Sequence, residues 1–225
     1  MKRWKRWAIP ILASAALAVP VRAGQVIDRI VANVNGHILL QSDWEEELAF
    51  EAFANARPLD AVTPAERKAA LDRLIDQELL REQVRPAEGA PAELVAARVA
   101  EIRKTLLPTS SDEEWHAALQ RYGLTQAALE KRLGNDIQLM RLVEARLRPS
   151  IQVDTRAVES YYRERLLPEL QRAGSKAVSL PEVFGHIRDL LTEQKINQLL
   201  DSWLVSLRSE SRIQTSESTA GEQTR

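Results

Sequence analysis

A mainly α-helical fold with one small β-hairpin near its start follows from three features of this 225-residue sequence. There are only eight Gly, three Phe and three Tyr among abundant Ala, Leu, Arg and Glu, a balance that favours helix over sheet. Ser42 with Glu45, Thr63 with Glu66 and Ser111 with Glu114 each stand at the head of an amphipathic run. In such a capping box the hydroxyl accepts a free N–H of the first turn, and the carboxylate reaches back to the cap. Asn35-Gly36 lies between two apolar runs and is the strongest short signal for a hairpin turn.

Taken in order, residues 1–23 read as an export leader. Lys2, Arg3, Lys5 and Arg6 form a basic head, Ala8 to Val19 is apolar apart from Pro10 and Ser14, and Val21-Arg22-Ala23 is a small-residue cleavage site. The apolar run is far shorter than the roughly 20 residues a bilayer crossing needs, so no stable membrane anchor is expected. Gln25 to Val34 and His37 to Leu40 then make the hairpin. Two strands alone are marginal in water, so a later element must cover them or add a strand.

Helices are predicted over Asp43 to Asn55, Pro64 to Val84, Pro91 to Leu107, Asp112 to Tyr122 and Thr125 to Leu147. Pro64 suits a first helical position, Gly123 stops the fourth helix, and Pro108 and Pro149 close the third and fifth. In the fifth, Leu133, Ile137, Met140, Val143 and Leu147 recur at steps of four and three, which predicts a core-facing stripe with Met140 as filler. Ile151 to Val153 is a short link, and Asp154 caps a helix bearing Val158, Tyr161, Tyr162, Leu166 and Leu167 until Pro168. Residues 171–179 read as a polar linker, and Pro181 opens a long helix to about Arg208. Ser211 to Thr215 follows as a short strand, and residues 216–225 as a disordered tail.

The long helix changes sides. At 100° per residue, Leu180, Val183, Phe184, Ile187, Leu190 and Leu191 share one direction, while Ile196, Leu199, Leu200, Trp203, Leu204 and Leu207 point roughly 190° away. Glu193, Gln194 and Lys195 are good helix formers without Gly or Pro between them, so one unbroken helix with different neighbours at its two ends is expected.

Charge and composition exclude several functions. Removal of the leader takes five of 31 basic residues and none of 32 acidic ones, which leaves an acidic chain and argues against nucleic acid as a partner. The sequence contains no cysteine, so disulfides and thiolate metal sites are excluded and stability must come from packing.

The stretch VIDRIVANVNGHILLQSDWEEEL followed by ALDRLIDQELL resembles the opening of SurA-type periplasmic chaperones. YGLTQAALEKRL and IQVDTRAVESYY continue the likeness weakly, and INQLLDSWLVSLRSESRI is similar to the family's terminal helix and strand. The resemblance implies a helical SurA-like or trigger-factor-like chaperone body over residues 24–170, completed by residues 180–215. Family members usually carry parvulin isomerase domains between the Tyr-Tyr helix and the terminal helix; here residues 171–179 stand in their place, so isomerase activity is not expected. The implied function is ATP-independent holding of unfolded exported clients, outer-membrane proteins among them, in the periplasm. The first half of the long helix then needs either the Val158 to Leu167 helix or a second copy, by exchange of terminal helices, as its neighbour.

The sequence carries no HExxH, GxSxG, phosphate-cradling loop or dinucleotide fingerprint, and His37, His116 and His186 stand in unrelated contexts. No catalytic, cofactor or metal-binding residue is therefore expected. A holding surface calls for dispersed large or flexible apolar side chains. Phe50, Phe53, Trp115, Tyr122 and Met140 are the candidates for peptide binding. A lapsed isomerase or an adaptor for one dedicated partner are the alternative readings.

Overall fold

The hairpin forms where the Asn-Gly pair stands. In the computed structural model, which describes residues 28–84 and 89–216, strand β1 (Ile30–Val34) runs antiparallel to β2 (His37–Leu40). Asn35 (φ +52°) and Gly36 (φ +96°) both take the left-handed conformation that such a two-residue turn requires. Strand β3 (Ile213–Thr215) pairs antiparallel with the other side of β1, Ile213 opposite Val34, giving the order β2-β1-β3. Terminal completion of the hairpin, expected from its marginal stability, is thus present. A bulge between the Ile30/Leu40 and Ala32/Leu39 pairs breaks the alternation of β1, and the consecutive residues Val31 and Ala32 are both buried. The leader, residues 25–27 and residues 217–225 of the tail lie outside the described residues.

Eight α-helices follow among the described residues: α1 (Gln41–Ala54), α2 (Pro64–Arg81), α3 (Ala92–Leu106), α4 (Asp112–Arg121), α5 (Gln126–Leu147), α6 (Thr155–Tyr161), α7 (Leu167–Arg172) and α8 (Leu180–Glu210). Two of the three capping boxes close as predicted. The Glu66 N–H donates to Thr63 Oγ1 at 3.2 Å while the Thr63 N–H donates to Glu66 Oε2 at 2.8 Å, and Ser111 and Glu114 do the same. The third does not. Strand β2 runs straight into α1, so Leu40 is the cap residue and its N–H donates to Asp43 at 2.8 Å. Ser42 falls inside the first turn and donates instead to Asp28 at 2.5 Å.

Pro168 does not end its helix. A π-helical turn over Tyr162–Leu166 joins α6 to α7, and this widened turn absorbs the missing N–H and the ring of Pro168. Helix α8 is unbroken, as its composition predicts.

Three buried clusters hold the elements together. Val31, Val34, Leu39, Ile75 and Leu79 join the sheet to α2, with Leu74, Leu207 and Ile213 packed against them. Ala49, Phe53, Val99, Trp115, Leu119, Leu129 and Leu133 join α1, α3, α4 and α5. Val143 and Leu147 at the end of α5 meet Ile196 of α8, flanked by Leu200 and Trp203. The second half of α8 thus faces the body, as the reversed stripe requires. Helix α6 also packs against α8, and the Tyr162 hydroxyl donates to the Val178 carbonyl at 2.7 Å across residues 171–179. Within the chain, α6 is thus one neighbour of α8.

Candidate functional site

Helix α5 is shared between two bodies, and the place where it passes from one to the other is uncovered. Its first half delivers Leu129 and Leu133 to the cluster with α1, α3 and α4, and its last turns deliver Val143 and Leu147 to the cluster with α8. Met140 lies on the same stripe midway between them. At 100° per residue it departs from Leu133 by only about 20°, yet it is 67% exposed. The expectation that Met140 fills a core is therefore corrected. Its angular position is that of a core residue, but no described element covers it.

Beside Met140 opens a groove of about 690 Å³. Phe50 and Ala54 from α1, Ile102 and Leu106 from α3, and Leu133, Ile137 and Leu139 from α5 supply its apolar lining, with Gln77 of α2 at one side. Arg98 pairs with Glu101 at 2.6 Å on the rim.

Beneath this groove runs a charged network. Glu47 of α1 is 1% exposed and accepts both guanidinium nitrogens of Arg132, one of them at 3.0 Å. Arg132 also bonds Asp136 at 3.1 Å, and Arg73 approaches Glu47 at 3.9 Å while pairing with Glu51. The Arg132 guanidinium lies 4.9 Å above the Phe50 ring, where the negative face of the ring attracts it. Burial alone would lower the Arg132 pKa; the bonds to Glu47 and the charges of Glu47 and Asp136 outweigh it and hold that pKa above its usual value. Burial pushes the Asp136 carboxyl up, against the pull of Arg132, and pushes Glu51 up against Arg73. Among the described residues no buried side-chain polar atom lacks a partner. The charged groups of the groove floor are thus paired, and the groove offers an apolar lining bordered by Gln77, Arg98, Glu101 and Thr105.

The five residues singled out from sequence fall in three places. Phe50 is half-buried and, with Met140, lines the groove. Tyr122 is half-buried and lines a separate cleft of about 540 Å³ with Leu48, Leu59 and Val62. Phe53 and Trp115 are interior side chains, 3% and 2% exposed, and in this conformation neither presents surface to another polypeptide. Their rings meet edge to face at 5.7 Å, Phe53 meets Tyr122 likewise at 5.5 Å, and the Trp115 indole donates to Gln126 Oε1 at 2.7 Å. They tie α1 to α4 because an aromatic with its N–H satisfied gains most from full burial.

Ile102, Leu106, Ile137 and Leu139 were not singled out. The sequence signal for them is the apolar spacing of α3, which carries Ile102 and Leu106, and of α5, which carries Ile137 and Leu139.

No metal-binding group of His, Cys, Asp or Glu occurs among the described residues. His37 sits near Arg81 and Glu78, and His116 contacts the Asp112 carbonyl; neither lines the groove. No helix among the described residues is long and apolar enough to cross a membrane. Compared with known proteins, the chain matches no family model, and no curated protein sequence gives a significant match.

Proposed function

We propose that the chain is an ATP-independent chaperone that holds unfolded exported polypeptides, outer-membrane proteins among them, in the groove beside Met140. The observation that carries this reading is the exposure of Met140 on a stripe whose other members are buried or half-buried. An unbranched thioether adapts to varied apolar partners, and a charged rim keeps such a surface soluble while it waits for them. The leader pattern of residues 1–23 and the resemblance to SurA-type chaperones support a periplasmic setting, with residues 24–170 as the body and residues 180–215 completing it. Without a nucleotide motif in the sequence, release follows from client folding or transfer to another protein.

The test is suppression of aggregation of an unfolded β-rich client by the purified protein. Wild type is expected to keep the client soluble near stoichiometric ratio, and Met140→Glu and Ile102→Asp to lose that effect while retaining their far-UV circular dichroism. Aggregation unchanged by a several-fold excess of wild type would count against the proposal.

A further inference from the structure

On the side of Met140 away from the groove, α5 presents a largely open stripe, which α8 reaches at its far end, where Arg148 donates to Glu193 at 2.7 Å. Ile137, Met140, Arg141, Glu144, Ala145 and Arg148 follow one another at helical spacing and line an open, mostly apolar shelf of about 620 Å³. Arg141 is exposed and makes no ion pair or hydrogen bond among the described residues. Glu144 is bonded by Arg148 of its own helix, which holds its carboxyl below the usual range and keeps it charged.

The stripe is complementary to itself when turned end for end. About a point between Leu142 and Val143, reversal brings Arg141 within reach of Glu144 and Ile137 onto Arg148, while Met140 and Ala145 lie on opposite edges of the stripe. A second copy laid antiparallel on this face sets a cation against a carboxylate and an aliphatic chain against the stem of Arg148. A two-fold axis repeats every such contact, so both Arg141–Glu144 pairs form together. A generic apolar client would cover Met140 and leave Arg141 unpaired. We propose that two copies of this chain associate through the outer face of α5, antiparallel about Leu142 and Val143.

Ile137 to Arg148 spans only about 16 Å of helix, so the interface belongs to the small, reversible class and its occupancy rises with concentration. Ile137 and Met140 also border the groove, and pairing brings the grooves of both copies to a common edge. This inference rests on the stripe itself and does not depend on the holding function.

Sedimentation velocity of the full chain, over a series from micromolar to sub-millimolar, tests it. The mass is expected to rise from monomer to dimer, less so at high salt. Arg141→Glu and Glu144→Arg are each expected to abolish the dimer, and the two together to restore it, because the exchanged charges are again complementary. Both positions are on the surface, and circular dichroism checks that the variants fold. A monomer at every concentration, or a double variant that fails to regain the dimer, overturns the inference. A monomeric wild type whose Arg141→Glu variant loses client holding would also overturn it, and would assign the stripe to clients. Aggregation suppression and mass are read separately, so each proposal fails on its own measurement.

Discussion

The sheet end of the molecule and the Met140 seam are built from the same materials and finished differently. At the sheet end, every strand of a marginal hairpin is supported: α2 covers one face and β3 supplies the missing strand. Asn35 clamps three elements there. Its side chain donates to Glu82 just after α2 at 2.8 Å and to Ser211 at 3.1 Å, and accepts the Arg212 N–H at 2.8 Å. At the seam, α5 passes between two cores, and no described segment returns to cover it. The difference teaches that amphipathic pattern decides which residues can be buried, whereas the reach of neighbouring elements decides which are.

The largest expected effect sharpens that contrast from below the groove. Arg132→Met strands the buried Glu47 carboxylate with only the more distant Arg73 and is expected to destabilise the fold by about 3–5 kcal/mol. Adding Glu47→Leu removes the stranded charge and is expected to recover most of the loss. Urea denaturation of the single and double variants reads both. A small loss in the single variant would mean that the seam is looser than its network implies.

Next in size is Asn35→Gly, which keeps the positive φ of the turn and removes the clamp. A loss of about 1–2 kcal/mol is expected, with hydrogen exchange accelerating in β3 before it does in α5. Uniform acceleration would erase the distinction between the two ends.

Gly134 is smaller in effect and opposite in sign. It lies inside α5, where a β-carbon would meet its nearest neighbours, Val95 and Ala90, at ordinary distances of 3.8 and 4.0 Å. Gly134→Ala is expected to stabilise the protein by about 0.5–1 kcal/mol, read as a raised urea midpoint, and to leave the groove unchanged.

The smallest effect is one of pH, and its sign differs between the start of α2 and the Met140 seam. The Arg57 guanidinium and the Thr63 backbone hold Glu66, the capping carboxylate of α2, at about 2, below its ordinary 4.5. Its contribution to stability is complete above pH 4.5 and is lost as pH falls toward 2. Asp136, raised from 3.8 by burial, contributes in the opposite direction: its share is complete below pH 3.8 and is lost as pH rises through the raised value. Urea midpoints measured from pH 5 downwards are expected to fall less steeply in Glu66→Gln than in wild type, and more steeply in Asp136→Asn.

Local chemistry was legible in the sequence, and contacts between distant segments were legible only in part. The boxes at Thr63 and Ser111, the Asn-Gly turn and the Asp154 cap depend on residues within three or four positions of one another, and all form. Ser42 met both local requirements and lost its role because β2 leaves no loop before α1, a constraint set by strand pairing. Pro168 carried a correct local penalty that a π turn accommodates. In the candidate site, Phe50 and Met140 could be named from size and polarity. Phe53, three residues from Phe50, and Trp115 could not be sorted from them, because one helical step separates the groove from the core and only the position of α4 settles which side each takes.

Strand β3 ties residue 213 to residue 34, and that pairing has a consequence in time. A closure over so many residues costs several times the thermal energy in chain entropy, and it cannot begin before the late segment exists. During synthesis the early ribbon therefore waits, lacking one of its neighbours, while the helices between can already nucleate locally. Among the described residues β3 is the strand made latest, so it acts as a latch on a ribbon and an α2-facing core whose buried residues, 31–79, are all made early.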